Sequence, residues 1–267
     1  MNYDKQEIKT LFNELRTFAS KDENRQNITG FHSKVVKNGK GLIRSFACTD
    51  GHRLIEVKNK YKVGSITEYE TINEIPKVTD LNRFIKDYSH FTSFDFQYCK
   101  EEEELRLNTE RAYLPLQKID GCSFPNYSPL IPTKEPSTKI FLDGPQAIKD
   151  ITFLLKKIAT TIKDRYNRVK VYIKESEITF SWEDKEYNFH INAGLPFNED
   201  SMRLQSKAKR AMIDFNGLYL YDAFKNISAH TNQINIEIYS DVAPIKITHK
   251  DIYGSEITKI IMPLKRS

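Results

Sequence analysis

The chain has 267 residues, 39% hydrophobic and 29% charged, with ten Gly and ten Pro; this excludes a disordered or fibrous chain and accommodates two domains better than one. Forty-one basic against 36 acidic residues leave a net charge of +5, compatible with a nucleic-acid partner but too small to demonstrate one. No apolar run approaches the roughly 18 residues of a membrane span, and Met1 to Asp4 open no leader pattern, so a soluble cytoplasmic protein without a membrane partner is expected.

Ile8, Leu11, Phe12, Leu15 and Phe18 recur at helical spacing, predicting an amphipathic helix over residues 4–20. Short β-branched and aromatic segments follow at Ile28 to Val36, Leu42 to Thr49 and Arg53 to Val57, with Gly39 and Gly41 as turn signals. A second helix is predicted from Thr79, with Leu81, Phe84, Ile85, Tyr88 and Phe91 as its buried stripe. Strands are expected near Ser93 to Tyr98, Leu105 to Asn108 and Ala112 to Leu116; the acidic run Glu101 to Glu104 reads as a solvated hairpin turn. Pro125, Pro129, Pro132 and Pro136 mark an extended connector, dividing the chain into domains at 1–133 and 137–267.

From Lys139 the order recurs. A strand precedes a helix over Pro145 to Thr160, then come strands near Val169 to Ile173, Ile178 to Trp182 and Tyr187 to Ile191. A second cycle has a helix over Gly217 to Ile227 and strands at Ile234 to Tyr239, Ala243 to Thr248 and Ile257 to Met262. Matching order in the two halves suggests a structural duplication, although no residue-level repeat is visible.

On a helical wheel Lys5, Lys9 and Arg16 share one flank of the first helix, with Glu7 and Glu14 across the apolar stripe. Arg83, Lys86 and His90 lie opposite the stripe of the second; Lys149, Lys156 and Lys163 recur every seven residues on the third, and Lys225 lies on the fourth. One such helix would merely be a solvated surface. Agreement among several points to a positive wall that neutralises phosphates without reading bases.

Thr49, Asp50, Gly51, His52, Arg53 and Leu54 spell TDGHRL, and Phe124 to Pro132 spell FPNYSPLIP. With Ile28 to Gly30, then Phe215, Asn216 and Tyr219, and the closing Ile260, Ile261, Met262, Pro263 and Leu264, these segments occur in the order found in the bacterial DNA polymerase III β subunit, which the chain resembles. The resemblance covers nearly the whole chain but only the second and third of that family's three domains. It implies an α+β fold of two DNA-clamp-fold domains, each packing two helices on antiparallel sheet, with domains assembling into a ring whose helices face DNA. Two domains per chain imply a head-to-tail homotrimer if six domains are to close the ring.

The same resemblance implies a pocket for short linear peptides of a DNA polymerase and a clamp loader. Its residues map to Ile28, Thr49, Gly51, His52, Arg53 and Leu54, with Pro125, Pro129 and Leu130 of the connector. Asn216, Tyr219, Val242, Pro244, Ile260, Ile261, Met262, Pro263 and Leu264 complete it. Without the resemblance, Ile260 to Met262 read as an ordinary last strand and the prolines as linker stiffening. Ser128 and Pro129 stand where the family motif has two arginines, removing a cationic rim. Lys265, Arg266 and Ser267 run past the family's usual end, placed to shield or recharge the cleft.

No catalytic set emerges. His52 beside Asp50 and Arg53 has no second histidine at metal spacing, and no nucleophile motif or Gly-rich phosphate loop accompanies it. Cys48, Cys99 and Cys122 are too scattered for a disulfide framework or a zinc site. The expected function is therefore a cofactor-free, non-enzymatic sliding clamp on double-stranded DNA. The alternative is a clamp-like decoy that binds clamp-binding motifs or a host clamp without closing a ring; a static duplex binder is a third reading.

Overall fold

The computed structural model describes residues 3–38, 41–61, 71–72, 86–87, 93–99, 102, 104–116, 123–162, 166–175, 177–184, 189–196, 201–206, 211–228 and 230–265. The chain divides into two compact units, Met1–Tyr127 with Tyr253–Ile257, and Ser128–Ile252 with Thr258–Ser267. Both are α+β with antiparallel pairing.

In the first unit, β1 (Tyr3–Asp4) runs into α1 (Lys5–Phe18), where the Asp4 carboxylate accepts the Glu7 N–H at 2.7 Å and so satisfies an otherwise orphaned donor of the first turn. The stripe read from the sequence is the buried one, because Ile8, Leu11, Phe12, Leu15 and Phe18 all face inward. A meander of β2 (His32–Asn38), β3 (Gly41–Thr49) and β4 (Arg53–Tyr61) lies beside α1, with β5 (Thr71–Ile72) on the far side of β2. A second meander joins β6 (Ser93–Cys99), β7 (Glu104–Asn108) and β8 (Tyr113–Leu116). The core is aromatic: Phe12 meets Phe31 and Phe96, and Phe46 lies 5.0 Å from Phe96 between ring centroids. β1 pairs with β6, joining the second meander.

The second unit has a similar order of strands and helices in two halves. β9 (Thr138–Asp143), α2 (Gly144–Thr161), β10 (Arg168–Ile173), β11 (Glu177–Asp184), β12 (Phe189–Pro196) and β13 (Met202–Ser206) form one half. β14 (Ala211–Asn216), α3 (Gly217–Phe224), β15 (Gln233–Ile238), β16 (Ile245–Lys250) and β17 (Glu256–Ile261) form the other. Each half lends its leading strand to the other: β9 pairs with β15, Ile140 opposite Ile236, and β14 pairs with β10, Ile213 opposite Val171. The sheet orders are therefore β12-β11-β10-β14 and β13-β9-β15-β16-β17.

α2 and α3 pack against one another, and Gly217 sits at their contact. A Cβ there would fall 2.7 Å from Val169 Cγ2 and 2.9 Å from Ile158 Cγ2, so a larger residue would force β10, α2 and α3 apart. Ile151, Leu155, Val171, Ile213, Leu220, Phe224 and Ile247 fill the space that these helices and both sheets enclose.

Several expectations shift. The strand placed at Ile28 begins at His32, because Gln26–Ile28 forms one 3-10 turn. The helix expected to reach Ile227 ends at Phe224, with Ile227 buried beyond it. Glu14, read as lying on a charged flank, is 1% exposed. Exposed Glu102 lies between the paired strands β6 and β7, as a hairpin turn requires, while Glu101 and Glu103 lie outside the described residues. So does the helix predicted from Thr79, apart from Lys86 and Asp87, which are helical and exposed. Among the described residues no helix is long and apolar enough to cross a membrane.

Candidate functional site

The TDGHRL segment is the turn between β3 and β4, built around one carboxylate. Asp50 Oδ1 accepts the backbone N–H groups of His52 and Arg53 at 2.9 and 3.0 Å, and Oδ2 accepts Arg53 Nε at 2.8 Å. Thr49 Oγ1 donates to the Arg53 carbonyl at 2.7 Å and accepts the Gly51 N–H at 3.0 Å. Gly51 has φ +90°, a conformation glycine adopts without Cβ strain. Arg25 closes the loop from outside, donating to the Asp50 carbonyl at 2.9 Å.

These bonds bury Thr49, Arg53 and Leu54, with Arg53 over the Phe18 ring, and leave Gly51 and His52 exposed. Asp50 is thus occupied in holding the turn: one oxygen takes the backbone of His52 and Arg53 and the other takes the Arg53 side chain. Among the described residues no cluster of three His, Cys, Asp or Glu is placed to hold a metal.

The start of the connector docks on the first unit. Phe124 stacks on His32 at 5.4 Å, and Tyr127 Oη donates to Glu56 Oε1 at 3.0 Å, beside Ser45 Oγ, which donates to the same oxygen at 3.0 Å. Lys58 holds the other oxygen of Glu56 at 2.7 Å. Burial, reinforced by the Glu56 carboxylate, pushes the Tyr127 phenol well above its ordinary range and keeps it protonated as a donor. This polar cluster was not read from the sequence; its one local signal was Tyr127 within FPNY. Ile28 is buried, whereas Pro125 is exposed. Ser128–Leu130 forms a 3-10 turn that exposes Pro129 and leaves Leu130 44% exposed.

In the second unit, Asn216 caps α3, its Oδ1 accepting the N–H groups of Leu218 and Tyr219 at 2.9 and 3.2 Å. Tyr219 and Pro244 are half-buried and Val242 is 78% exposed. Ile260 and Ile261 are fully buried in β17. Met262, Pro263 and Leu264 are half-buried, and the Leu264 N–H donates to the Asp214 carbonyl of β14 at 2.8 Å. Arg168 fixes this tail doubly, pairing with Asp214 Oδ2 at 2.8 Å and donating to the Lys265 carbonyl at 3.3 Å. Lys265 is therefore anchored by its backbone; Arg266 and Ser267 lie outside the described residues.

Of the basic residues singled out, Arg16, Lys149 and Lys156 are exposed on α1 and α2, and Lys5 and Lys9 are half-buried on α1. Lys225, just past α3, is drawn to Asp222 Oδ1 at 2.5 Å, which reduces its free charge. Arg83 and Lys163 lie outside the described residues.

Helices backed by antiparallel sheet in two swapped-strand units define the DNA-clamp class of fold, and solved structures agree. The β sliding clamp of Caulobacter crescentus covers 100% of this chain at TM-score 0.79 and 20% identity, over 65% of its own length. DNA polymerase III subunit beta of Borrelia burgdorferi, solved with a natural product, gives 0.79 at 17% identity over 63% of that chain, and the Thermotoga maritima beta subunit gives 0.78 at 18% over 65%.

In sequence the chain resembles the beta sliding clamps of Synechococcus elongatus and of a Synechocystis species, each 24% identical across 92% of this chain. It spans 60% of the length of those relatives, which fits a match to two of three domains. No family model matches the sequence.

Proposed function

We propose that the protein is a DNA sliding clamp, a processivity factor that encircles duplex DNA without reading its sequence and tethers a polymerase and its loader. The observation that carries this reading is the extent of the likeness: 92% of the chain in sequence to two beta sliding clamps, and all of it in fold to solved ones. The exposed Arg16 on α1 and Lys149 and Lys156 on α2 support it, since mobile cations can neutralise phosphates in any register. No catalytic step or cofactor is needed for such a role, because retention comes from threading.

Three copies of a two-unit chain supply six clamp units to a head-to-tail homotrimer. Two strands are candidates for the joints: in the strand orders of the described residues, β8 ends the four-stranded sheet of the first unit and β12 that of the second. Open edges of this kind need covering in a stable protein. In the second unit the exposed Leu130 and Val242 are the apolar side chains that the Leu or Phe anchor of a peptide partner would meet. The reading is tested by light scattering and by retention on nicked circular against linear duplex. A stable trimer retained only on circles is expected; a monomer at micromolar concentration, or equal binding to both forms, removes the ring.

A further inference from the structure

The wet face of α2 carries one residue that phosphate neutralisation does not explain. Phe153 is 64% exposed in mid-helix. On the helical wheel Lys149 and Lys156 flank it on one side and Lys157 on the other, all exposed, with Lys157 Nζ 5.5 Å from the ring centroid. The carboxylate on this face, Asp150, accepts from Gln146 Nε2 at 2.7 Å. A flat aromatic surface is thus held in water within a ring of cations.

We propose that this face binds single-stranded nucleic acid, with the Phe153 ring stacking on an unpaired base while Lys149, Lys156 and Lys157 take the flanking phosphates. The inference rests on reading the basic helix faces as the nucleic-acid side of the molecule. At about 1.5 Å rise per residue, Lys149 and Lys156 lie about 6 and 4.5 Å along the helix axis from Phe153, a span their flexible side chains extend to phosphates on both sides of one nucleotide. Stacking of bases on aromatic rings within a positive track is how single strands are held without sequence preference. A duplex keeps its base faces inside the stack and offers this ring nothing comparable. A lipid surface is disfavoured because the remaining apolar stripe of α2, Ile148, Ile151, Leu155 and Ile158, is buried in its own unit, leaving one ring to insert.

The test uses the full chain at low salt with three labelled probes: an oligo(dT), an abasic oligomer of equal length, and a duplex. Because Phe153 is exposed, F153A leaves the fold intact. It should weaken oligo(dT) binding on the order of 10- to 100-fold while changing the abasic and duplex affinities less than about twofold. F153W should restore binding, and its fluorescence should be quenched by oligo(dT) but not by the abasic strand. Unchanged oligo(dT) affinity in F153A, or an equal loss on all three probes, overturns the proposal. Retention on circular duplex is read separately, so its failure removes the ring reading while the oligo(dT) comparison still decides this one.

Discussion

Lowering the pH from 7 to 5 should destabilise the second unit through one histidine. His249, on β16 opposite Ile234, is 6% exposed, and neither ring nitrogen finds a well-formed hydrogen-bond partner. Burial, then the neighbouring Lys259 ammonium, pushes its imidazole down from 6.5 to about 3 against a weak opposing pull from the Lys250 backbone. The native ring therefore stays neutral in a range where the unfolded chain takes up a proton. The associated stability is complete above about pH 6.5 and is lost as pH falls toward 3, at about 1.4 kcal/mol per unit.

By pH 5 the loss should reach about 2 kcal/mol. His249→Leu removes the titrating group together with a buried ring that has no good partner, so it should cost less than about 1.5 kcal/mol at pH 7 and flatten the pH dependence below it. Trp182, the chain's single tryptophan, is buried in β11 of the same unit, and its fluorescence reports urea unfolding there. If wild type and H249L lose stability in parallel between pH 7 and 5, the titration lies elsewhere and the reasoning fails.

Asp50→Ala should cost about 2–3 kcal/mol by leaving the buried Arg53 guanidinium without its carboxylate, and Asp50→Asn less, since its carbonyl still accepts the two backbone N–H groups; urea unfolding of both variants checks the order. Gly51→Ala should lower stability by about 1–2 kcal/mol through its positive φ and displace the Arg25 head, read as a drop in Tm. Val242→Asp, at a 78% exposed position, should change stability by less than about 0.5 kcal/mol yet weaken a Leu- or Phe-anchored clamp-binding peptide on the order of 10-fold in a calorimetric titration. Replacing Lys149 and Lys156 together by Ala should reduce the slope of log affinity against log salt for duplex by up to about 1.8; an unchanged slope would separate these lysines from the phosphates.

Local periodicity made much of the fold legible. The α1 stripe at Ile8, Leu11, Phe12, Leu15 and Phe18 and the alternating burial of β9 and β16 follow from side-chain spacing alone. β1 and β5 are two residues long, too short for any period. β13 presents mostly exposed polar side chains, and β14 buries Asp214 among apolar neighbours, so neither alternates cleanly. A wheel assigns a flank but not a depth: Glu14, across the apolar stripe, is buried. The TDGHRL segment stood out through its resemblance to a family motif; that it is a turn held by Asp50 and Thr49 came from the structure, where its bonds close within five residues. The Arg168 anchor of the tail was not visible in the sequence, because Arg168 and Lys265 are 97 residues apart. Pairing of β9 with β15 and of β14 with β10 was equally invisible, since hydrophobic pattern sets which face is buried but not which strand lies alongside.

That crossed pairing has a bearing on how the second unit can be taken apart. A polypeptide severed in the segment joining Ser206 to Ala211 yields two pieces, each holding a meander whose missing border strand belongs to the other. Neither piece can seal its own hydrophobic interior, so each alone should be sticky and poorly formed, while the mixture should reassemble one to one. Biosynthesis faces the same constraint: β10 to β12 wait for β14, and β9 waits for β15, so this unit commits to its native form only after its last third has been made.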